Sequence, residues 1–409
     1  MKLRILFQRF FWLILCFSVG AGTVLGQRPG SATPRQEKLL NGLKVLMWPD
    51  PSAPNVRVSL RIHSGSAFDP QGKEGVMKLL AENLFPTPAS REFFTDDLGG
   101  TIEIISNYDY IQINASAKSS EFLDLLETLA QAVSTPTIDK DTTATLKMTL
   151  GTKLATLEKD PLYVADQAAA KRLFGTFPYG RPQMGSTESI ERIDFADLQF
   201  AKERFLLADN ATIAIIGNFN NDLAYRAVRR YFGAWSKSDR RVPSTFRQPD
   251  APDTKPFEIA VAGASPVSSF ALRGLARNDP DYLASVVLER ILRARSAKET
   301  VAMSVSHEAR TLPGVVMIRV SGPRPFPTNI FGDRISEAEF VRARDEAAAM
   351  FASRPVTEQW LDADTYRTDV GVEATALQKL TLADVQRAAD RLAKNPVVSV
   401  VVRPATSAQ

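Results

Sequence analysis

Side chains that do chemistry are scarce in this chain, and that scarcity is the first constraint. His63 and His307 are the only histidines among 409 residues, and Cys16 is the only cysteine. One cysteine can form neither a disulfide nor a thiolate metal site within the chain. Two histidines joined by a carboxylate such as Glu82 could share a zinc ion. A lone histidine in a strand is more often a hydrogen-bonded or surface residue, and both histidines fall in runs that read as strand. Serine chemistry is no better founded. Ser-x-x-Lys pairs occur, but no serine stands in a G-x-S-x-G turn and no histidine is placed to serve as its base. The glycines of "DLGGTIE" do not lead from a strand into a helix, as a phosphate loop does, and read as a helix stop before a strand.

The elements that must position these residues follow from hydrophobic spacing. Leu43–Trp48 and Val56–His63, joined by the turn-forming "PDPSAPN", predict strand, turn, strand. Gly75–Phe85 predicts a helix, with Val76, Leu79, Leu80 and Leu84 on one buried face. Thr101–Ser106 and Tyr110–Ala117 form a second strand pair around "NYD". Helices follow at Glu121–Ser134, Lys140–Leu157, Tyr163–Phe174 and Phe195–Leu206, then the buried strand Thr212–Gly217. Residues 236–256, "SKSDRRVPSTFRQPDAPDTKP", are polar and proline-rich and read as a linker. Beyond it the scheme returns in shorter form. Strands are expected at Phe257–Ala262, Ser268–Leu275, Val301–Ala309, Gly314–Val320 and Val397–Val402, and helices at Tyr282–Arg295, Glu337–Ala352, Thr357–Thr368 and Leu382–Ala393. Strand pair, helix, strand pair, helices, strand occurs twice, which implies an internal repeat of α+β lobes.

Composition agrees with two lobes of about 200 residues each. The hydrophobic share is 44% and the charged share 23%, as in folded globular proteins. The first 26 residues hold Lys2, Arg4 and Arg9 with no acid, then apolar Phe10–Val19, then small-residue-rich Ala21–Gly26. This is the layout of a secretory signal cleaved after Gly26, although Phe10–Gly26 just reaches the length of a membrane anchor and Cys16 offers a poor lipidation site. Without that leader 47 basic residues face 46 acidic ones, and no basic run remains to track a phosphate backbone. Nucleic-acid binding is disfavoured, and membrane association is expected only if the leader stays. The expected division is signal peptide 1–26, spacer 27–37, first lobe 38–235, linker 236–256, second lobe 257–403 and tail 404–409.

Four ordered motifs resemble one family. "NGLKVLMWPDPSAPNVRVSLRIHSGSAFDPQGKEGV", "FPYGRPQMGSTESI", "FLLADNATIAIIGNF" and "LTLADVQRAADRLAKNPVVSVVV" resemble the insulinase/pitrilysin-type metallopeptidases, the inverted zincins, in their processing-peptidase branch. The likeness spans roughly residues 38–403. It implies an α+β fold of two homologous lobes, each a mostly antiparallel sheet packed with helices, the second lobe shortened by about a helix before "ISEAEF". In catalytic relatives the helix after the first strands carries H-x-x-E-H, whose histidines, one turn apart, hold zinc while the glutamate activates water. Here Lys78, Ala81 and Glu82 take those positions. An ammonium repels a dication, a methyl has no acid–base chemistry, and one carboxylate is a weak ligand. Where a third ligand is wanted stand Gly151, Thr152 and Lys153, with Glu158 more than a turn late. No catalytic residue, zinc or other cofactor is therefore expected. Lys78 and Glu82 can pair at i, i+4, but two solvated side chains are the plainer reading.

The resemblance also implies that the strand of Thr101, Ile102, Glu103, Ile104, Ile105 and Ser106 lines the cleft and pairs with extended peptide through main-chain hydrogen bonds, a mode that outlives the metal. An ordinary sheet strand is the equal alternative. In the relatives' second lobe an "R-x-x-x-G-x-A-Y" context grips substrate; here Met303 stands at the tyrosine, the glycine is absent, and neither Arg293 nor Arg295 is assigned. Three functions follow: a non-catalytic envelope subunit pairing with a homologous zinc-bearing chain, or with itself, around peptides; an independent envelope scaffold or peptide binder; or a zinc endopeptidase with relocated ligands.

Overall fold

The computed structural model describes residues 33–238 and 249–405. The expected leader, most of the spacer, the middle of the linker and the end of the tail lie outside the described residues. The first half runs β1 (Arg35–Lys38), β2 (Lys44–Pro49), β3 (Asn55–Ile62), α1 (Val76–Asn83), α2 (Pro88–Asp96), β4 (Thr101–Ser106) and β5 (Ile111–Lys118). It continues through α3 (Phe122–Ser134), α4 (Lys140–Leu157), α5 (Pro161–Phe174), α6 (Thr187–Glu191), α7 (Phe195–Phe205), β6 (Ala211–Gly217) and α8 (Asn221–Phe232). The second half runs β7 (Phe257–Val261), β8 (Val267–Arg273), α9 (Tyr282–Ser296), β9 (Met303–Glu308) and β10 (Val315–Ser321). It ends with α10 (Glu337–Ala352), α11 (Val356–Tyr366), α12 (Glu373–Lys379), α13 (Leu382–Ala393) and β11 (Val398–Pro404).

The strands build two sheets, ordered β1-β2-β6-β3-β5-β4 and β7-β11-β8-β10-β9. β2–β6 and β7–β11 pair parallel, and every other neighbour is antiparallel. Apart from β1, the second order repeats the first strand for strand. The α+β class and the doubled, mostly antiparallel architecture are as the sequence implies. The second half has no helix in residues 322–336, where α3 follows β5 in the first, and nothing matching α2 between β8 and β9.

Three details depart from expectation. β2 and β3 do not pair with each other, because β6 lies between them. β6 is "ATIAIIG", buried along almost its whole length, and so belongs in the sheet interior. The spacer expected through residue 37 stops short of Arg35, since β1 adds to the edge of β2 and Arg35 pairs with Glu37 and Asp222. At the other end Pro404 belongs to β11, not to the tail, and the Ala405 N–H donates to Val261.

Each half also covers the other's sheet. α5 lays Ala165, Ala169 and Leu173 on the second sheet, against Ala271, Val398 and Val400. α11 lays Leu361 on the first sheet against Leu46, Trp48 and Ala214. Beside it Arg61 of β3 is fully buried. Its guanidinium donates to Gln112 at 2.6 Å, Asp362 at 2.8 Å, Thr365 at 3.1 Å and Glu358 at 2.9 Å, with the Tyr110 ring 3.9 Å away. A buried charge is tolerated only with such saturation, so Arg61 fixes α11 in register on the sheet.

Candidate functional site

α1 is the helix on which a zinc motif would stand. Asp69 sets its start, accepting N–H bonds from Gly75 and Met77, each at 2.8 Å. Burial is the dominant influence on Asp69 and pushes its carboxyl up to about 7 against those two amides. The helix buries Val76, Met77, Leu79, Leu80 and Ala81, leaving Lys78 and Glu82 on its one open face. They are not the separate solvated side chains expected. Lys78 Nζ bonds the Glu82 carboxylate, and Arg91 Nη2 from α2 reaches its other oxygen at 2.5 Å while Arg91 Nε holds the Phe85 carbonyl at 3.0 Å. Burial raises the Glu82 pKa, but the two cations outweigh it and the net shift is downward.

This cluster does not fit a zinc ion. Its one carboxylate is already engaged by two cations, and the position of a catalytic glutamate is the methyl of Ala81, with no exposed surface. Glu158, past the end of α4, accepts from the Thr187 N–H at 2.8 Å and hydroxyl at 2.7 Å and so serves the start of α6. Gly151, Thr152 and Lys153 bring no carboxylate to α1. Among the described residues, no three His, Cys, Asp or Glu side chains gather as a metal-holding group.

The histidines do not come together with Glu82. His63 lies under α11, bonded to Thr365 at 3.1 Å and Thr212 at 3.0 Å. His307 accepts the Leu275 N–H on Nε2 at 3.1 Å, which requires a lone pair there, so its Nδ1 carries the proton and faces Ser285 Oγ at 3.1 Å. Burial holds its pKa down to about 4.

β4, the strand Thr101–Ser106, forms the end of the first sheet. Ile102 and Ile104 pack on the core, while Glu103 turns to the opposite face, where Asn114 reaches it at 3.3 Å. Asn107 N–H donates to Tyr110, which places the alternating ladder so that odd-numbered residues bond β5 and the amides of Ile102, Ile104 and Ser106 face outward. At one end the edge is already closed, since Gln183 Nε2 donates to the Ser106 carbonyl at 2.7 Å. Gln183 is delivered by the "PYGRP" stretch, whose Arg181 grips the Asp69 carbonyl at 2.8 Å and whose Tyr179 hydroxyl bonds Asp109 at 3.0 Å. Sequence reasoning missed both Gln183 and Arg91.

The second half's arginines are engaged at home. Arg295 chelates Glu339 at 2.7 and 3.0 Å. Arg293 Nε holds the Val305 carbonyl of β9 at 2.9 Å, and its guanidinium pairs with Glu289 at 3.0 Å. Met303 lies half-buried in β9.

A family model described as insulinase, peptidase family M16, matches residues 44–187, and one described as the peptidase M16 inactive domain matches residues 192–305. An uncharacterised zinc protease of Mycobacterium bovis is 24% identical over 213 residues, 51% of this chain and 49% of that protein. The chain thus spans about half the length of such curated relatives. A peptidase M16 inactive domain from Pseudomonas fluorescens superposes with a TM-score of 0.80 at 20% identity, covering 92% of this chain and 99% of that one. The periplasmic protease PqqL from Escherichia coli gives 0.70 at 13% identity, covering 91% of this chain and 48% of its own. Both likenesses establish the shared fold. No helix among the described residues is long and apolar enough to cross a membrane. The chain belongs to the insulinase family of peptidases.

Proposed function

We propose that this chain is an exported, non-catalytic member of its family that holds extended peptides on β4 and pairs with a zinc-bearing relative to enclose them. One contrast carries the reading. On the helix that would bind metal, the one carboxylate of Glu82 is held by Lys78 and by Arg91 from α2, while the strand beside it keeps outward amides at Ile102 and Ile104. Water activation needs a metal or a base, and α1 offers neither. Strand addition needs only backbone groups, and β4 offers those.

The positively charged, then apolar leader and the likeness to a periplasmic protease support export. Pairing is supported by the likeness to PqqL, since 91% of this chain matches 48% of that longer protein, as one half of a larger assembly would. The test is affinity purification from the native host followed by mass spectrometry and metal analysis. Recovery of a homologous chain bearing H-x-x-E-H, with zinc stoichiometric to that chain alone, is the expected result. Stoichiometric zinc on this chain by itself, with chelator-sensitive peptide cleavage, would overturn it. Envelope proteins without any peptidase in the purified material would point to a scaffold instead.

A further inference from the structure

We infer that the Lys78–Glu82–Arg91 cluster is a receptor for the C-terminal carboxylate of a peptide lying on β4. The inference rests on the peptide-holding role proposed above and adds which part of the peptide is read. Its first ground is charge. Lys78 and Arg91 share Glu82 as their one carboxylate, so the cluster keeps one uncompensated positive charge. The Lys78 and Glu82 side chains are 17% and 26% exposed, sheltered enough for a charged partner to matter yet open enough to admit one. A metal site at this place would offer lone-pair donors and bind a cation. The residues present reverse that sign.

The second ground is direction. α1 runs back along β4. It begins near the strand's end, because a Cβ on Gly75 would lie 2.8 Å from the carbonyl oxygen of Met184, the neighbour of the Gln183 that holds Ser106. α2 finishes near the strand's beginning, where the Phe94 carbonyl accepts the Gly100 N–H at 2.7 Å. Both helices pack on β4, and Arg91 of α2 ties the cluster to the last turn of α1. A peptide added antiparallel starts at the Ser106 end, pairs at Ile104 and Ile102, and carries its terminus along α1 toward Glu82 and Arg91. The pairing stretch is short, since Gln183 already occupies the Ser106 carbonyl. A chain end suits such a stretch better than a segment passing through. The arriving carboxylate can take Lys78 or Arg91 from Glu82 while the other cation keeps Glu82 satisfied. Glu103 projects from the opposite face and does not oppose it.

The experiment presents the full-length protein with one randomised pool of short peptides, prepared once with free carboxyl termini and once amidated, and quantifies retained peptide by mass spectrometry. Free acids should be retained about tenfold better, the scale of one charge-assisted contact. Lys78→Met and Arg91→Gln should each pull that ratio toward one without changing retention of the amides, and Lys78→Arg should preserve it. Equal retention of both pools, or a ratio unmoved in both neutralised variants, overturns the inference and leaves peptide holding intact. Retention of neither pool by the wild-type protein overturns the peptide-holding role itself and the inference with it.

Discussion

Both halves place an edge strand at the same point of the repeat and finish it differently. In the second half β9 is closed by the helix behind it: Arg293 of α9 takes the Val305 carbonyl and pairs with Glu289 on the same helix. In the first half α1 carries an ion pair at the same spacing with its charges in reverse order, yet Glu82 takes up both Lys78 and Arg91, and neither residue of the pair bonds β4. Arg91 comes from α2, for which the second half has no counterpart. One extra helix therefore accompanies the difference between a strand edge bonded by the helix behind it and one whose helix turns its charges to Arg91 instead. Shared topology does not confer a shared surface.

The largest effect that could sharpen the contrast lies beneath the sealed edge. His307 has a pKa near 4, below the ordinary imidazole value, so on acidification the unfolded chain takes up a proton before the folded one does. The stability this contributes is full above about pH 6.5 and is lost as pH falls toward 4, up to roughly 3 kcal/mol. Denaturant melts across that range should show the loss, and His307→Gln should flatten it; an unchanged slope would contradict the buried neutral ring. Next, Arg293→Ala strips a partner from both Val305 and Glu289 and should lower stability by about 1–2 kcal/mol in the same melts. A neutral result would mean that β9 is sealed by something else. Ile104→Pro in β4 removes an outward N–H and trims a side chain that is only partly buried against the core, and proline is tolerated at a sheet edge. It should cut retention of the randomised peptides about tenfold while leaving the cooperative melt in place. Undiminished retention would locate peptide binding off this strand. Smallest of all, Lys78→Ala should change stability by only a few tenths of a kcal/mol, roughly, because Arg91 still holds Glu82. A loss comparable with that of Arg293→Ala would erase the difference between the two pairs.

Much of the fold was legible because its periodic stretches are long. Lys140–Leu157, Glu337–Ala352 and Leu382–Ala393 begin and end where spacing and caps place them, with Asp139, Ser336 and Thr381 accepting the first helical amides. α2 was not legible, for it buries only Phe94 and has no apolar stripe. Its signal was local instead: Thr87 and Ser90 form a capping box, with Pro88 at the first turn. Missing α2 meant missing Arg91, and so the Lys78–Glu82 pair read as two solvated side chains. Strand order was hidden for another reason. "PDPSAPN" announces a turn, but the insertion of β6 between β2 and β3 is decided by burial on both faces, which only the assembled sheet reveals. Gln183 closing Ser106 spans a separation no local pattern encodes.

The crossed placement of α5 and α11 has a bearing on how the chain is made. Translation delivers Leu46, Trp48 and Arg61 long before Glu358, Leu361 and Asp362, so the earliest sheet must wait with one side wet and an arginine lacking its carboxylates until the ribosome has nearly finished. A gene divided between the halves would give two fragments, each missing the cover that the other carries, and only their joint expression would restore a soluble product.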